Sequence, residues 1–209
     1  TLLCAVGCRE DAGTPDYSGL QPLFDRLRAD AGGAAVGPDP FLPGEERLSL
    51  GLFYEGESTE LVQIDGTTAN YFIFLDGERL TYRQAEETLD VVEGNVSDRI
   101  TLEGTSFWGG GIVWNPTRDL SKWRTLAVSL KSAAIEKVNV TVGSSSKELG
   151  LDAANYGYSA DGQWHNLRIP LADYAAGGVD LTDIRVAFAL GAPGGSAGQE
   201  LLVDDVYIE

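Results

Sequence analysis

The chain has no methionine, one histidine, His165, and two cysteines, Cys4 and Cys8, both near its start. Each scarcity removes a class of chemistry. A Ser-His-Asp relay would have to run through His165, inside a segment that reads as a strand, and no serine is framed by the glycines of a nucleophile elbow. One histidine and two cysteines confined to the tail do not make a zinc ligand set. Basic residues are also few. Fifteen Lys and Arg stand against 32 Asp and Glu, a formal charge of −17, which argues against nucleic acid or an anionic membrane surface as the main partner and suits uncharged glycans or cations better. No apolar run reaches the roughly 18 residues of a membrane-spanning helix. Gly109-Gly110-Gly111 is not followed by the Lys-Ser or Lys-Thr pair of a phosphate loop. Acid pairs are plentiful, but abundance alone gives no positive support for a glycosidase pair. The expectation is a noncatalytic protein.

What the chain has instead is glycine, 26 residues of it, as many tight turns require. The clearest pattern lies at the end. Trp164 to Ile169, Ile184 to Leu190 and Leu201 to Ile208 read as three strands of alternating or β-rich character, with Pro170 ending the first and Gly177-Gly178 and Gly191 to Gly198 supplying loops. Further strands are expected at Leu48, Leu50 and Leu52, at Arg99 to Leu102, across Trp108 to Trp114, at Leu126 to Leu130, and at Val138, Val140 and Val142. Tyr71 to Leu75 is a continuous apolar strand, Asp76-Gly77 a hairpin turn, and Arg79 to Arg83 its partner. One helix is convincing. Over Ser18 to Ala31, Leu20, Leu23, Phe24 and Leu27 share a face, Ser18 and Gln21 form a capping box, and Pro22 falls in the first turn. The expected organisation is a tether over residues 1–17, a helix and linker over 18–44, and a β-sandwich over 45–209.

The closing segments Asp161-Gly162-Gln163-Trp164, Ile169-Pro170-Leu171-Ala172-Asp173-Tyr174, Asp180-Leu181-Thr182-Asp183-Ile184 and Val203-Asp204-Asp205-Val206-Tyr207 resemble those of the galactose-binding-like jelly-roll superfamily, which includes several carbohydrate-binding modules and the ExoP-type accessory domain. The resemblance implies an all-β, galactose-binding-like jelly-roll β-sandwich. It also implies a structural Ca2+ between the opening acidic segment, Glu55 with Glu57 as an alternative, and the last strand, Asp204 with Asp205 as an alternative. Two carboxylates leave much of calcium's shell of 6 to 8 oxygens to backbone carbonyls and water. In related modules the Trp-Gly-Gly-Gly strand crosses the concave face, where bare glycines let a sugar ring approach.

Sugar rings stack on aromatic planes while their hydroxyls need polar side chains. Trp108 and Trp114 are therefore the first candidates for a ligand platform, with Tyr71, Tyr82, Arg83 and Tyr156 behind them, and Trp123 and Trp164 as core or loop anchors. Ala5-Val6-Gly7-Cys8 resembles a bacterial lipobox, which would make Cys8 a lipidated anchor on an outer-membrane or extracellular surface. The alternative is a disulfide involving Cys4 and Cys8. The leading reading is a carbohydrate-binding module-like domain with a polysaccharide or surface glycan as partner. The rival is a surface protein that assembles into homo-oligomers through its N-terminal arm.

Overall fold

The computed structural model describes residues 48–49, 60–61, 69–92 and 94–209. The expected helix over 18–31, the lipobox with Cys8, and Glu55 and Glu57 lie outside the described residues.

Among the described residues fourteen strands form two large, mainly antiparallel sheets and one small hairpin. The strands are β1 (Leu48–Ser49), β2 (Glu60–Leu61), β3 (Ala69–Ile73), β4 (Leu75–Asp76), β5 (Arg79–Leu80), β6 (Tyr82–Glu87), β7 (Ser97–Leu102), β8 (Phe107–Arg118), β9 (Thr125–Lys131), β10 (Asn139–Ser144), β11 (Glu148–Asp152), β12 (His165–Pro170), β13 (Ile184–Pro193) and β14 (Glu200–Ile208). One sheet has five strands in the order β11-β10-β13-β8-β3. The other has seven: β14 pairs with β9, which pairs with β12, and on its opposite side β14 meets β7 over Glu200 to Val203 and β1 over Tyr207 and Ile208. This is the jelly-roll sandwich the closing segments implied.

Side-chain alternation explains how the sheets close. From the seven-stranded sheet Ile100, Leu102, Leu126, Val128, Leu130, Leu167 and Ile169 face inward; from the other sheet come Trp108, Ile112, Trp114, Val140, Val142, Phe188 and Leu190, all in one buried core. The last strand must change phase to contribute throughout. Leu201 and Val203 point inward and so do Val206 and Ile208, a spacing that needs one extra residue. The pairing of β14 with β9 accordingly slips between Asp204 and Tyr207, and Asp205 takes φ 54°, the geometry of a β-bulge.

Pro170 ends β12 as expected, and the chain then enters a short helix α1 (Leu171–Ala176) that the strand pattern did not announce; its Tyr174 hydroxyl donates to the Val140 carbonyl at 3.0 Å. The edge strand β11, which carries Leu149 and Leu151, is not among the expected strands.

The tryptophans are core. Trp108 is 3% and Trp114 1% exposed, so neither ring offers a platform to a ligand. Trp114→Ala is expected to cost about 3–5 kcal/mol of stability, whereas Phe74→Ala, at a position 45% exposed, is expected to cost much less. Urea unfolding of the two variants checks this, and equal losses would contradict the inward placement of Trp114.

Candidate functional site

The outward face of the five-stranded sheet is the complement of the core pattern. Tyr71 and Ile73 pack inward on β3, so Phe72 and Phe74 point outward, and on β8 Phe107 does the same opposite the inward Trp108. The three phenylalanines form a ladder. Phe72 and Phe74 have ring centroids 5.2 Å apart, and Phe74 and Phe107 lie 6.1 Å apart edge to face. Phe74 and Phe107 are 45% and 36% exposed.

Backbone hydrogen bonds fix that ladder. Phe74 N donates to Gly109 O at 2.9 Å, and Thr81 N donates to Phe74 O at 3.1 Å, which anchors the hairpin β4–β5 to β8. Asp76 ties the hairpin to the start of β8, since Ser106 donates to its Oδ2 from both backbone N and Oγ, at 3.0 and 2.8 Å. These bonds hold the exposed Asp76 carboxyl below its usual range.

Strand register then sets what faces the rings. Gly109 is paired with Gly191, which is paired with Asn139; in the next row Phe72 is paired with Gly111, Gly111 with Ala189, and Ala189 with Thr141. The middle of both rows carries glycine or alanine, so a groove of about 270 Å³ runs between the phenylalanines and the polar side chains of Asn139, Thr141 and Glu148. No lysine or arginine lines it. The groove combines an apolar wall with amide, hydroxyl and carboxylate groups opposite, the chemistry that a polyhydroxylated ring presents in reverse.

The glycines of β8 have internal duties as well. A Cβ on Gly110 would lie 2.1 Å from the Tyr82 hydroxyl oxygen, and one on Gly109 would lie 2.9 Å from the Phe74 ring. At these two positions rings of the protein itself come close, Tyr82 on the inner side and Phe74 on the outer.

The six ligand candidates from sequence are not brought together. Trp108 and Trp114 are in the core, Trp108 edge to face with Tyr82 at 6.4 Å. Tyr82 is 1% exposed and its hydroxyl meets that of Tyr71 at 2.5 Å between the sheets, where burial pushes both phenols up. Arg83 is exposed on the other sheet and pairs with Glu103. Tyr156 donates to Asp173 at 2.8 Å, and burial with that carboxylate pushes its phenol up to about 12. Trp123 belongs to the core, and Trp164 Nε1 donates to Asp90 Oδ1 at 2.8 Å as a loop anchor. The residues missed by sequence reasoning are Phe72, Phe74 and Phe107. For Phe72 and Phe74 the signal lay in the apolar run from Tyr71 to Leu75, whose outward half is hidden when every position is apolar.

A serine, the histidine and an aspartate do meet, but not as a relay. His165 Nε2 is 2.9 Å from Asp161 Oδ1 and 3.2 Å from Ser159 Oγ, so both partners use the same ring nitrogen. A relay needs base and orienting acid on opposite nitrogens. The contact serves the loop instead, and the hydrogen bond from His165 is the leading cause that lowers Asp161 to about 2.

Of the expected metal ligands, Asp204 is fully buried, accepting from Val92 N at 2.6 Å and from Asp205 N at 2.7 Å, while Asp205 turns toward Asn166 Nδ2 at 3.3 Å. Among the described residues no three His, Cys, Asp or Glu form a metal-sized cluster. A second acid stands close by. Asp98, paired with Val203 next to Asp204, is 5% exposed, and its Oδ2 is buried without a hydrogen-bond partner. Strand alternation sends Asp98 to the inner face with Val203 and Asp204 to the other face with Ser129, so these two carboxylates do not make one donor set for a hard cation.

No family model matches the chain, and no curated protein matches it. Solved structures do. An exo-β-agarase aligns with a TM-score of 0.51 at 15% identity, over 67% of this chain and 23% of that one. The family 30 carbohydrate-binding module of a cellulosomal cellulase of Clostridium thermocellum aligns at 0.46 and 16%, over 66% and 85% of the two chains. The extra C-terminal domain of an exo-1,3/1,4-β-glucanase from a Pseudoalteromonas species aligns at 0.43 and 16%, over 60% and 69%. At such identities the likeness is one of fold, and fold does not carry function with it.

Buried Asp98 has a measurable pH signature. Burial pushes Asp98 up to about 7; a hydrogen bond from Gln84 opposes this, and the charges of Asp204 and Glu86 add to it. A carboxyl raised on folding favours the folded state below its unfolded value, about 3.9, and that contribution is lost as pH rises through 7. With divalent ions chelated, Asp98→Asn is therefore expected to melt above the wild type at pH 8, with the gap closing by pH 4. A gap independent of pH would contradict the assignment.

Proposed function

We propose that this chain is a noncatalytic carbohydrate-binding module-like domain that holds a neutral glycan against Phe72, Phe74 and Phe107. The observation that carries the reading is the groove itself: an exposed aromatic ladder faces Asn139, Thr141 and Glu148 across a floor of glycine and alanine. The rings offer stacking surface, the polar wall offers hydrogen bonds to hydroxyls, and a lining without cations gives an anionic chain nothing to pair with. The His165 geometry supports the noncatalytic part. A polysaccharide partner fits an extracellular or outer-surface location, with Cys8 as the lipid anchor.

Ca2+ belongs to the same proposal as a structural ion. Asp204 would hold it, with Glu55, Glu57 and Asp205 as the further carboxylates indicated by the resemblance. Self-assembly remains the second reading, favoured by Leu75 and Leu80, 55% and 47% exposed on the hairpin beside the ladder.

Two measurements test the proposal. Each exposed ring contributes on the order of 0.5–1.5 kcal/mol of stacking, and about 1.4 kcal/mol is tenfold in affinity. Phe74→Ala with Phe107→Ala is thus expected to weaken retention on a neutral β-glucan gel roughly five- to a hundredfold with little loss of melting temperature. If the wild type shows no retention on a panel of neutral polysaccharides and instead forms oligomers that Leu75→Lys with Leu80→Lys disperses, self-assembly replaces binding. Added Ca2+ is expected to raise the melting temperature of the chelated wild type and not that of Asp204→Asn, because an ion that binds only the folded state stabilises it. Equal responses would remove Asp204 from the site.

A further inference from the structure

The larger cavity lies on the other sheet. At the end of β9 and the start of β14, a cleft of about 540 Å³ opens between Asp90, Lys131, Ala134 and the Gln199–Glu200 segment, with Leu202 at its base. That volume is in the range of small-molecule sites. Three separate segments build its polar centre. Lys131 Nζ donates to Asp90 Oδ2 at 2.5 Å, Trp164 Nε1 donates to Asp90 Oδ1 at 2.8 Å, and the Lys131 ammonium stands 6.0 Å from the centroid of the Trp164 ring.

We propose that this cleft is a second binding site, separate from the groove, that takes a single neutral sugar ring or the end of a glycan chain. Hydrogen-bond capacity sets what the cleft can take. An ammonium has three N–H donors, and one of those on Lys131 goes to Asp90. Gln199 Nε2 has two, of which one goes to Ala134 O at 3.0 Å. Donors therefore remain at two points. Acceptors remain on the carboxylates of Asp90 and Glu200, and the hydrogen bond from Lys131 holds Asp90 below its usual range, so that it only accepts. A donor directly beside an acceptor is the pattern that two neighbouring ring hydroxyls complement, each hydroxyl giving one hydrogen bond and taking another. Ala134 and Leu202 supply apolar contact for the C–H face.

Charge narrows the ligand class. Two carboxylates against one ammonium disfavour an anion, and the ammonium in the centre disfavours a cation. A neutral polyol is what the set accepts. The arrangement also explains why Trp164 is half-buried over the pair: the indole fixes Asp90, and Asp90 fixes the ammonium.

Because Trp164 Nε1–H is part of the centre, its indole resonance is the readout. The wild type and the Phe74→Ala, Phe107→Ala double variant would be titrated with D-glucose, D-galactose and D-mannose, using Trp164→Phe to assign the signal. The expected result is a saturable shift of that resonance with at least one hexose, alike in both proteins. Ala134→Arg, at an exposed position whose backbone contacts do not change, is expected to fill the cleft and lower the apparent affinity at least tenfold without changing the melting temperature; Lys131→Ala is expected to lower it too. Absence of a saturable shift with all three sugars, or a shift that survives Ala134→Arg, overturns the proposal. So does a shift that vanishes in the double variant, because the signal would then originate in the groove. Failure here leaves retention on the groove untouched, so the two sites stand or fall separately.

Discussion

Gly110 lies on one sheet and Tyr82 on the other, and a Cβ at Gly110 would come within 2.1 Å of the tyrosine oxygen and 2.5 Å of the Phe72 carbonyl. The sheets can close to their observed separation only because that position is bare. With the gap closed, the Tyr82 hydroxyl reaches Tyr71, Trp108 packs edge to face on Tyr82, and β3 is held at the register that sends Phe72 and Phe74 outward. The inner seal and the outer aromatic ladder thus follow from one missing side chain. Interiors packed to crystal density leave no slack to absorb a methyl group there.

The sequence showed the strands more clearly than the faces. Alternation located β9, β10, β12 and β14 within a residue or two and β13 within three, and Trp108 and Trp114, six residues apart, share a side of β8. The pattern did not say which side. Between the tryptophans the alternate positions are Gly109, Gly111 and Val113, none of them polar, so the pattern is equally compatible with tryptophans in the core or in solvent. The run Tyr71-Phe72-Ile73-Phe74-Leu75 hides its face for the opposite reason, since every position is apolar and the period of two leaves no trace. The groove was therefore invisible until strand register was known. The short helix α1 was missed because six residues are too few to display a helical period.

Electrostatics divides the molecule along the same lines as packing. The groove lining has no cation, and its one carboxylate, Glu148, is exposed on the edge strand β11. Charge that the fold needs is placed elsewhere, at Asp98 and Asp204 within the sandwich and at the Asp90 clamp on the opposite sheet. An excess of acids this large, −17 over the chain, would oppose compaction if spread evenly through the interior. Among the described residues the buried acids are Glu87, Asp98 and Asp204, and Glu87 is paired with Arg99, so the cost falls on few places.

The tether between Asp76 and Ser106 bears on how the molecule stays apart from its copies. Among the described residues β3 is the outermost strand of its sheet, next to an apolar ladder, and such an edge is a template on which another chain can add. The chain leaves that edge at once. After Ile73 the hairpin β4–β5 turns away through Gly77 at φ 65°, held by Asp76 on Ser106, so the edge strand is not prolonged past Ile73. The same hydrogen bonds that aim Phe74 at the groove thereby shorten the surface on which fibrous stacking could start.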